Sequence, residues 1–388
     1  MSTNPYLFEL LDGVRMPTTE EVRGALAEIQ DEEAMNPASL RSDYFTTTES
    51  FSDEIEMFVE DNRQTGGMTY IHTFGSEPRS FTQRGGAAHK VKWSGMYFME
   101  FSTIGHDQLL KLAQLSNRQK RVQITEQVAK SLRAMELRSR RRENWIAAQL
   151  LTKGKIVVTP DMHDNPERAS YTLDYRVKNP VITLDTEDKW NHKDAAGDYT
   201  ADVVDFALSL KEQRADADLP LPRKWIMNSK TLLELQRNDV IYKKYWQRLL
   251  MGHNGRMEVR DIIADPRLLG GQFLGAFKQL TGIDIEVRDD TVNHRDGTNE
   301  KLIPDGHVTI LYGEGDIIGE FTYLAHLYGN DGKLGLGTGP FVFTNITDAV
   351  TNPSYTIYKG FNAMPILTPE DYDSNFEYNR IQTMQVLV

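Results

Sequence analysis

Cysteine is absent from the 388 residues. Without a thiol the chain has no disulfide, no thiolate metal ligand and no cysteine nucleophile, which leaves His, Asp and Glu as the side chains open to a metal. Long apolar runs are missing too: no stretch approaches the roughly 18 residues a membrane helix needs, and no basic-then-apolar segment opens the chain. The sequence therefore predicts neither a signal peptide nor a membrane span, and predicts folding in the cytosol. Basic residues are scarce at the start, where residues 1–62 hold fifteen Asp or Glu against Arg15, Arg23 and Arg41. Such a segment repels itself and is not expected to fold alone. The 39% hydrophobic composition is still enough for a sizeable core, and the length suits about two or three domains. A formal charge of −12 argues against general affinity for nucleic acid but leaves room for a local basic patch.

What is present centres on residues 116–155. Apolar side chains recur at Ile124, Val128, Leu132, Met135, Ile146 and Leu150, and neither Gly nor Pro occurs between Ser116 and Thr152. That spacing predicts one long amphipathic helix. At about 1.5 Å per residue it would reach on the order of 50 Å, more than a compact domain needs. Gly154 is the expected stop, because glycine takes the left-handed C′ position without a Cβ penalty. The segment carries eleven Lys or Arg against Glu126, Glu136 and Glu143. A solvated helix face is the plain reading of that charge. The alternative is a face that meets acidic protein or nucleic acid, with Arg138, Arg140, Arg141 and Arg142 as its densest part.

Elsewhere, Thr18 and Glu21 read as a capping box opening a short helix through Val22, Leu26 and Ile29. The polar, β-branched and aromatic stretch after it suggests an extended arm. Residues 62–105 shift to Gly, aromatic and β-forming residues, with Gly66-Gly67 and Gly85-Gly86 punctuating two strand-like runs. A lone hairpin is marginal in water. Its aromatics, Tyr70, Phe81, Trp93, Tyr97 and Phe98, therefore need a covering surface. Strands follow the long helix, then helices at 201–213, 230–250 and 267–281, then strands around a turn at Asp296-Gly297. A glycine-rich loop is expected at 329–340, and strands return from 355 onward. Trp145, Trp225 and Trp246 read as packing residues on or beside helices.

No catalytic pattern emerges. Gly335, Gly337 and Gly339 alternate in GLGTGP, but the strand-turn-helix context of a nucleotide loop is missing. Asp161, His163 and Asp164 could offer ligands to a divalent ion, although such residues between strands mostly bond their own backbone. Residues 289–300 end in Glu300 but lack the glycine a calcium loop needs at its turn. No HExxH or nucleophile-elbow serine is present.

Three stretches carry a resemblance. Arg142-Glu143-Asn144-Trp145 leads through Leu151-Thr152-Lys153-Gly154-Lys155 into a strand. Leu280-Thr281-Gly282 precedes the strand IDIEVRDD, a hairpin, and the run from Leu302 through Pro304, Asp305 and Gly306 to Leu311. Gly360 to Pro365 with Leu367 closes the chain. In this order they resemble the lambda-type phage major head proteins, the capsid protein E family, over roughly residues 60–388. The long acidic N-terminal segment and the helical residues near 230–250 depart from that pattern.

The resemblance implies the α+β Hong Kong-97 type capsid fold, with an N-terminal arm (1–61), an extended β-hairpin loop (62–105), a peripheral domain with a spine helix (106–194), an axial domain (195–350) and return strands of the peripheral domain (351–388). It implies a major capsid protein that assembles with itself into pentamers and hexamers around double-stranded DNA, made in the host cytoplasm and resident in the virion. A portal and possible scaffold and decoration proteins are the implied partners, with no catalytic, cofactor or metal residues. Expected assembly contacts are Arg138, Arg140, Arg141 and Arg142 against an acidic surface or DNA, Tyr70, Phe81 and Trp93 over a neighbour, and Gly335, Gly337 and Gly339 around the ring axes. The competing readings are an enzyme or binding protein with a pocket in 195–350, or another virion component.

Overall fold

The computed structural model describes residues 14–31, 39–52, 54–60, 88–159, 170–246, 271–293, 297–330, 333–347, 353–373 and 377–387. Several expectations lie outside these residues: Tyr70 and Phe81, the turn at Asp161 to Asp164, and the start of the helix expected from 267.

Helix α1, Thr19–Asp31, buries Val22, Leu26 and Ile29 as its period requires. Its capping box forms: the Thr18 N–H donates to Glu21 Oε2 at 2.8 Å, and the Glu21 N–H donates to Thr18 Oγ1 at 3.3 Å. The stretch expected to be extended is instead a short helix, α2 at Leu40–Tyr44, followed by strand β1 at Phe45–Glu49. Ser39 caps α2 by accepting from the Ser42 N–H at 3.2 Å, a local bond that polar composition alone does not distinguish from a turn. Strands β2 (Glu54–Glu60) and β3 (Ala88–Ser94) pair, and β4 follows at Met96–Ile104.

After α3 (His106–Ala113) comes the long helix α4, Asn117–Lys153, 37 residues ended by Gly154 at φ +66°. Next are β5 (Lys155–Val158), β6 (Tyr171–Asp174), β7 (Val181–Thr183), α5 (Val203–Asp216), β8 (Pro222–Met227), α6 (Ser229–Arg237) and α7 (Gly271–Thr281). The helix expected across 230–250 is present as Ser229–Arg237 and, after a break at Asn238, as further helical turns over Asp239–Trp246, beyond which the expected span lies outside the described residues. Asn238 interrupts it by turning its side chain to accept from the Val240 N–H and recapping the chain. Trp225 sits on strand β8 rather than on a helix. The remaining strands are β9 (Asp284–Val287), β10 (Thr291–Asn293), β11 (Asn299–Lys301), β12 (His307–Tyr312), β13 (Gly319–Tyr323), β14 (His326–Asn330), β15 (Lys333–Gly337), β16 (Phe341–Thr347), β17 (Ser354–Leu367) and β18 (Ile381–Gln385).

The chain divides into two compact units. One comprises Met1–Glu56, Val91–Asn144 and Gly319–Ile366. Its sheet runs β1-β13-β17-β16, with β4 also paired to β17. A core of Val22, Leu26, Ile29, Ile104, Ile124, Val128, Leu132, Val342 and Ile357 joins α1 and α4 to that sheet. Thr19 and Thr344 share a 2.9 Å hydroxyl contact, and the Tyr355 hydroxyl donates to Pro17 O at 2.9 Å, which fixes α1 in place.

The other unit comprises Met57–Lys90, Trp145–Ile318 and Leu367–Val388. Its mixed sheet runs β7-β18-β12-β8-β9, and Trp190, Trp225 and Phe277 stack at 5.7 and 5.4 Å in its core. These boundaries differ from those expected. The inserted unit ends at Ile318 rather than near 350, because β13 and β16 hydrogen-bond into the first sheet. The division also falls inside the long helix, after Asn144. The C-terminal tail returns β18 to the second sheet, between β7 and β12.

Gly154 serves packing as well as conformation. A Cβ there would lie 2.7 Å from Val177 Cβ and 3.0 Å from Pro180 Cβ. Gly197 also has positive φ, at +86°, but meets nothing within 4 Å. Gly197→Ala should therefore cost about 1–2 kcal/mol from conformation alone. Gly154→Ala should cost a further 1–3 kcal/mol or so from overpacking. Urea unfolding of both variants measures the difference, and equal costs would mean the Val177 contact is irrelevant.

Candidate assembly interface

Strand β4 alternates strictly. Phe98, Glu100, Ser102 and Ile104 turn inward, while Tyr97, Met99, Phe101 and Thr103 turn to solvent. Phe101 is 66% exposed and Met99 50%. Antiparallel pairing sets Phe101 opposite Tyr358 and Met99 opposite Gly360 on β17, while β16 sets Phe343 opposite Tyr358 and Phe341 opposite Gly360. One face of the three strands therefore carries Tyr97, Phe101, Tyr358, Phe343 and Phe341. Their rings touch in series: Phe101–Tyr358 at 5.8 Å, Tyr358–Phe343 at 4.7 Å, Phe343–Phe341 at 6.2 Å and Phe341–Tyr97 at 5.7 Å. Gly360 makes this possible, since a Cβ there would fall 2.7 Å from Phe341 Cζ. Among the described residues β4 pairs with β17 alone, so it stands at an edge of the sheet.

The opposite face meets α4 through charge. Lys359 is 1% exposed and its Nζ lies 2.9 Å from Glu136 Oε2, whose other oxygen accepts from Arg140 Nε at 2.7 Å. Burial alone would raise the Glu136 pKa, but Lys359 and Arg140 outweigh it and hold the carboxyl below its ordinary value. About two helical turns on, Glu143 accepts from the Tyr323 hydroxyl at 2.7 Å, with Arg41 Nε 4.0 Å away. Here burial wins over both partners and pushes the carboxyl up.

These placements change the reading of the arginine cluster. Arg138 pairs with Glu100 at 3.1 Å, Arg140 with Glu136, and Arg142 lies 5.6 Å from the centre of the Phe98 ring. Arg141, also exposed, is the one of the four with no ion pair or ring contact among the described residues. In the acidic helix α1, Glu21 pairs with Arg15 at 2.6 Å. Glu136–Arg140 was legible as an (i, i+4) pair. Lys359, more than two hundred residues along the chain, was not.

The other expected contacts separate. Trp93 lies on β3. Gly335 and Gly337 are not loop residues: they sit in β15, which pairs with β14 in a hairpin of the first unit, away from the inserted unit to which they were assigned. Gly339 follows at φ +80°, beside the Glu49 carboxylate that accepts from Thr338. Sequence reasoning missed Leu327 and Leu336, which face each other across that hairpin, 69% and 53% exposed. Alternation of apolar residues with Gly was the available signal. One open groove of about 520 Å³ lies between the Val14–Ala25 and Arg121–Ala129 segments, not within 195–350. Among the described residues no three His, Asp or Glu gather in a metal-binding group.

The two carboxylates predict opposite responses. Glu136, with its folded pKa lowered, contributes stability that is full above the ordinary value of 4.5 and lost as pH falls through the depressed one. Glu136→Gln strands the Lys359 charge and should cost about 3–5 kcal/mol at neutral pH. Glu143, with its folded pKa raised, weakens the fold above that value and gains as pH falls. Glu143→Gln should therefore be neutral or stabilising near pH 8, and wild type should gain on it as pH drops towards about 5. Urea midpoints across that range test both signs.

Comparison with known proteins agrees with this architecture. A structure described as the capsid protein of a prophage of E. coli CFT073 superposes with a TM-score of 0.53 at 12% identity, covering 96% of this chain and all of that one. A phage-related protein from Bordetella bronchiseptica RB50 gives 0.46 at 11% identity over 94% and 96%, and the mature capsid of bacteriophage PhiM1 gives 0.40 at 8% over 90% and 87%. The first of these carries the fold, which is of the Hong Kong-97 type. The sequence pattern described as phage major capsid protein E matches residues 25–335, well over half of the chain. This chain belongs to the phage major capsid protein E family, whose members form the shell of the phage head.

Proposed function

We propose that the chain builds its shell from pentamers and hexamers that close an icosahedral head around double-stranded DNA, and that each subunit's 62–105 loop lies over a neighbouring subunit, the part of it before β4 covering the aromatic face that the neighbour's β4, β16 and β17 present. The face of β4 with Tyr97, Met99 and Phe101 exposed, continued by the half-buried rings of Phe343 and Tyr358, carries this reading. Exposed on β4 and half-buried beside it, these side chains form an apolar patch of the kind that marks an interface rather than free surface. Tyr, Phe and Met are the side chains enriched at the buried centre of such contacts. The excursion itself, with Tyr70, Phe81 and Trp93, brings aromatics that need the same cover.

The first unit serves in this reading as the peripheral domain and the second as the axial domain. The exposed Leu327–Leu336 pair, with Gly335, Gly337 and Gly339 around it, forms a second, smaller contact between copies. No residue is assigned a catalytic role, and the shell is completed by a portal, with scaffold and decoration proteins as further partners. Assembly takes place in the host cytoplasm.

Removing residues 69–92 should leave a soluble chain that forms no shells in negative stain. Phe101→Ser combined with Tyr358→Ser should do the same, since truncating central aromatics costs about 2 kcal/mol or more each at an interface. Megadalton particles of normal appearance from either variant would refute the contact.

A further inference from the structure

Helices α1 and α4 of the first unit run side by side in the same direction: Gln30 Nε2 donates to Glu136 Oε2 at 3.2 Å towards one end, and Val22 and Ile124 line one groove towards the other. That groove, open and of about 520 Å³, lies between the first halves of the two helices. It exists because Ala25 and Ala129, half-buried on α1 and α4, are too small to close it. Val14, Val22, Ile124 and Val128 give it an apolar lining. Arg15 and Arg121 stand exposed at its rim with Glu21, which pairs with Arg15 at 2.6 Å. Val14 is also the first described residue, so the chain before it joins at the groove itself.

From this we infer that the groove between α1 and α4 is a docking site for residues 6–11 of the same subunit. Five of these six residues are apolar, Tyr6, Leu7, Phe8, Leu10 and Leu11, with Glu9 the exception. Asn4-Pro5 before them and Gly13 after them are the start and stop signals of a short helix, on which the spacing sets Leu7, Leu10 and Leu11 along one stripe. An apolar cavity of about 150 Å³ takes one benzene-sized group, so the groove suits about three such side chains. The tether decides whose segment it is. Three Cα steps of at most about 3.6 Å keep Leu11 within about 11 Å of Val14. Gly13 can take the positive φ that turns the chain back. A segment held so close has an effective concentration in the millimolar range, which a copy on another dilute subunit does not match. Glu9 and Asp12 also oppose the charge of the rim, where Arg15 and Arg121 outnumber Glu21. The contact lies within one subunit and does not rest on the shell reading.

Because the chain has no cysteine, an introduced thiol is its only one and reports directly on the groove. Thr125→Cys places it in the lining, and Lys130→Cys places it on the same helix outside the lining. The full-length chain, dilute and unassembled, is treated with a bulky maleimide. Labelling rates are then compared with and without Leu7→Ser, Leu10→Ser and Leu11→Ser together. The docked segment should slow labelling at Thr125→Cys by about tenfold or more, the factor that a docked fraction above about nine in ten imposes, and the Ser changes should abolish that protection. Labelling at Lys130→Cys should be the same in both backgrounds, and the protection at Thr125→Cys should not vary with chain concentration. Equal rates at Thr125→Cys with and without the leucines overturn the inference. So does an equal change at Lys130→Cys, which would place the effect outside the groove. Protection that grows with chain concentration overturns it as well, because it would assign the groove to the segment of a neighbouring copy.

Discussion

The long helix cannot lie against the sheet of its unit without burying two carboxylates, and that constraint organises the rest of the unit. Glu136 and Glu143 stand about two turns apart on the inward side, so the surface beneath must supply cations and hydroxyls at matching heights. Lys359 from β17 and Arg140 neutralise the first, while Tyr323 from β13 and Arg41 serve the second. Removing a buried charge's partner is far more costly than never burying the pair, so such groups fix register more than they add stability. β17, β13 and α2 are thereby tied to one position along the helix.

Once the inward face of the sheet is committed to α4 and α1, the β4 edge of the outward face is left exposed among the described residues. Sheets with one buried and one wet face ordinarily alternate apolar with polar residues. β4 does not, placing Tyr97, Met99 and Phe101 on the open side. Its ladder partners add Tyr358, Phe343 and Phe341. The described part of a single subunit therefore leaves apolar side chains without cover, and the proposed contact between copies is argued from that. The Leu327–Leu336 pair repeats the logic on a smaller scale.

The helix also separates its charges by depth. Two of its three acids, Glu136 and Glu143, go inward to meet cations, so its exposed charges are mostly basic in a chain that is acidic as a whole. Depth, not composition, produces that asymmetry, and a count over residues 116–155 conceals it.

Much of the fold was legible in the chain. The helix from Asn117 to Lys153, its glycine stop and the Thr18–Glu21 capping box all rest on interactions within a few residues of each other, where spacing is the physics. The order of elements, which carries the family resemblance, is likewise a property of sequence. Pairing between distant segments was not legible: β1 with β13, β4 with β17, β18 between β7 and β12, and Lys359 with Glu136 depend on which strands meet, and no local spacing encodes that. For the same reason the glycine-rich 329–340 stretch read as a loop, since its hairpin is set by a ladder. The sequence by itself determined the helix, its caps and the family. Tertiary structure alone decided which faces remain open, because exposure depends on what else the chain brings to cover each side.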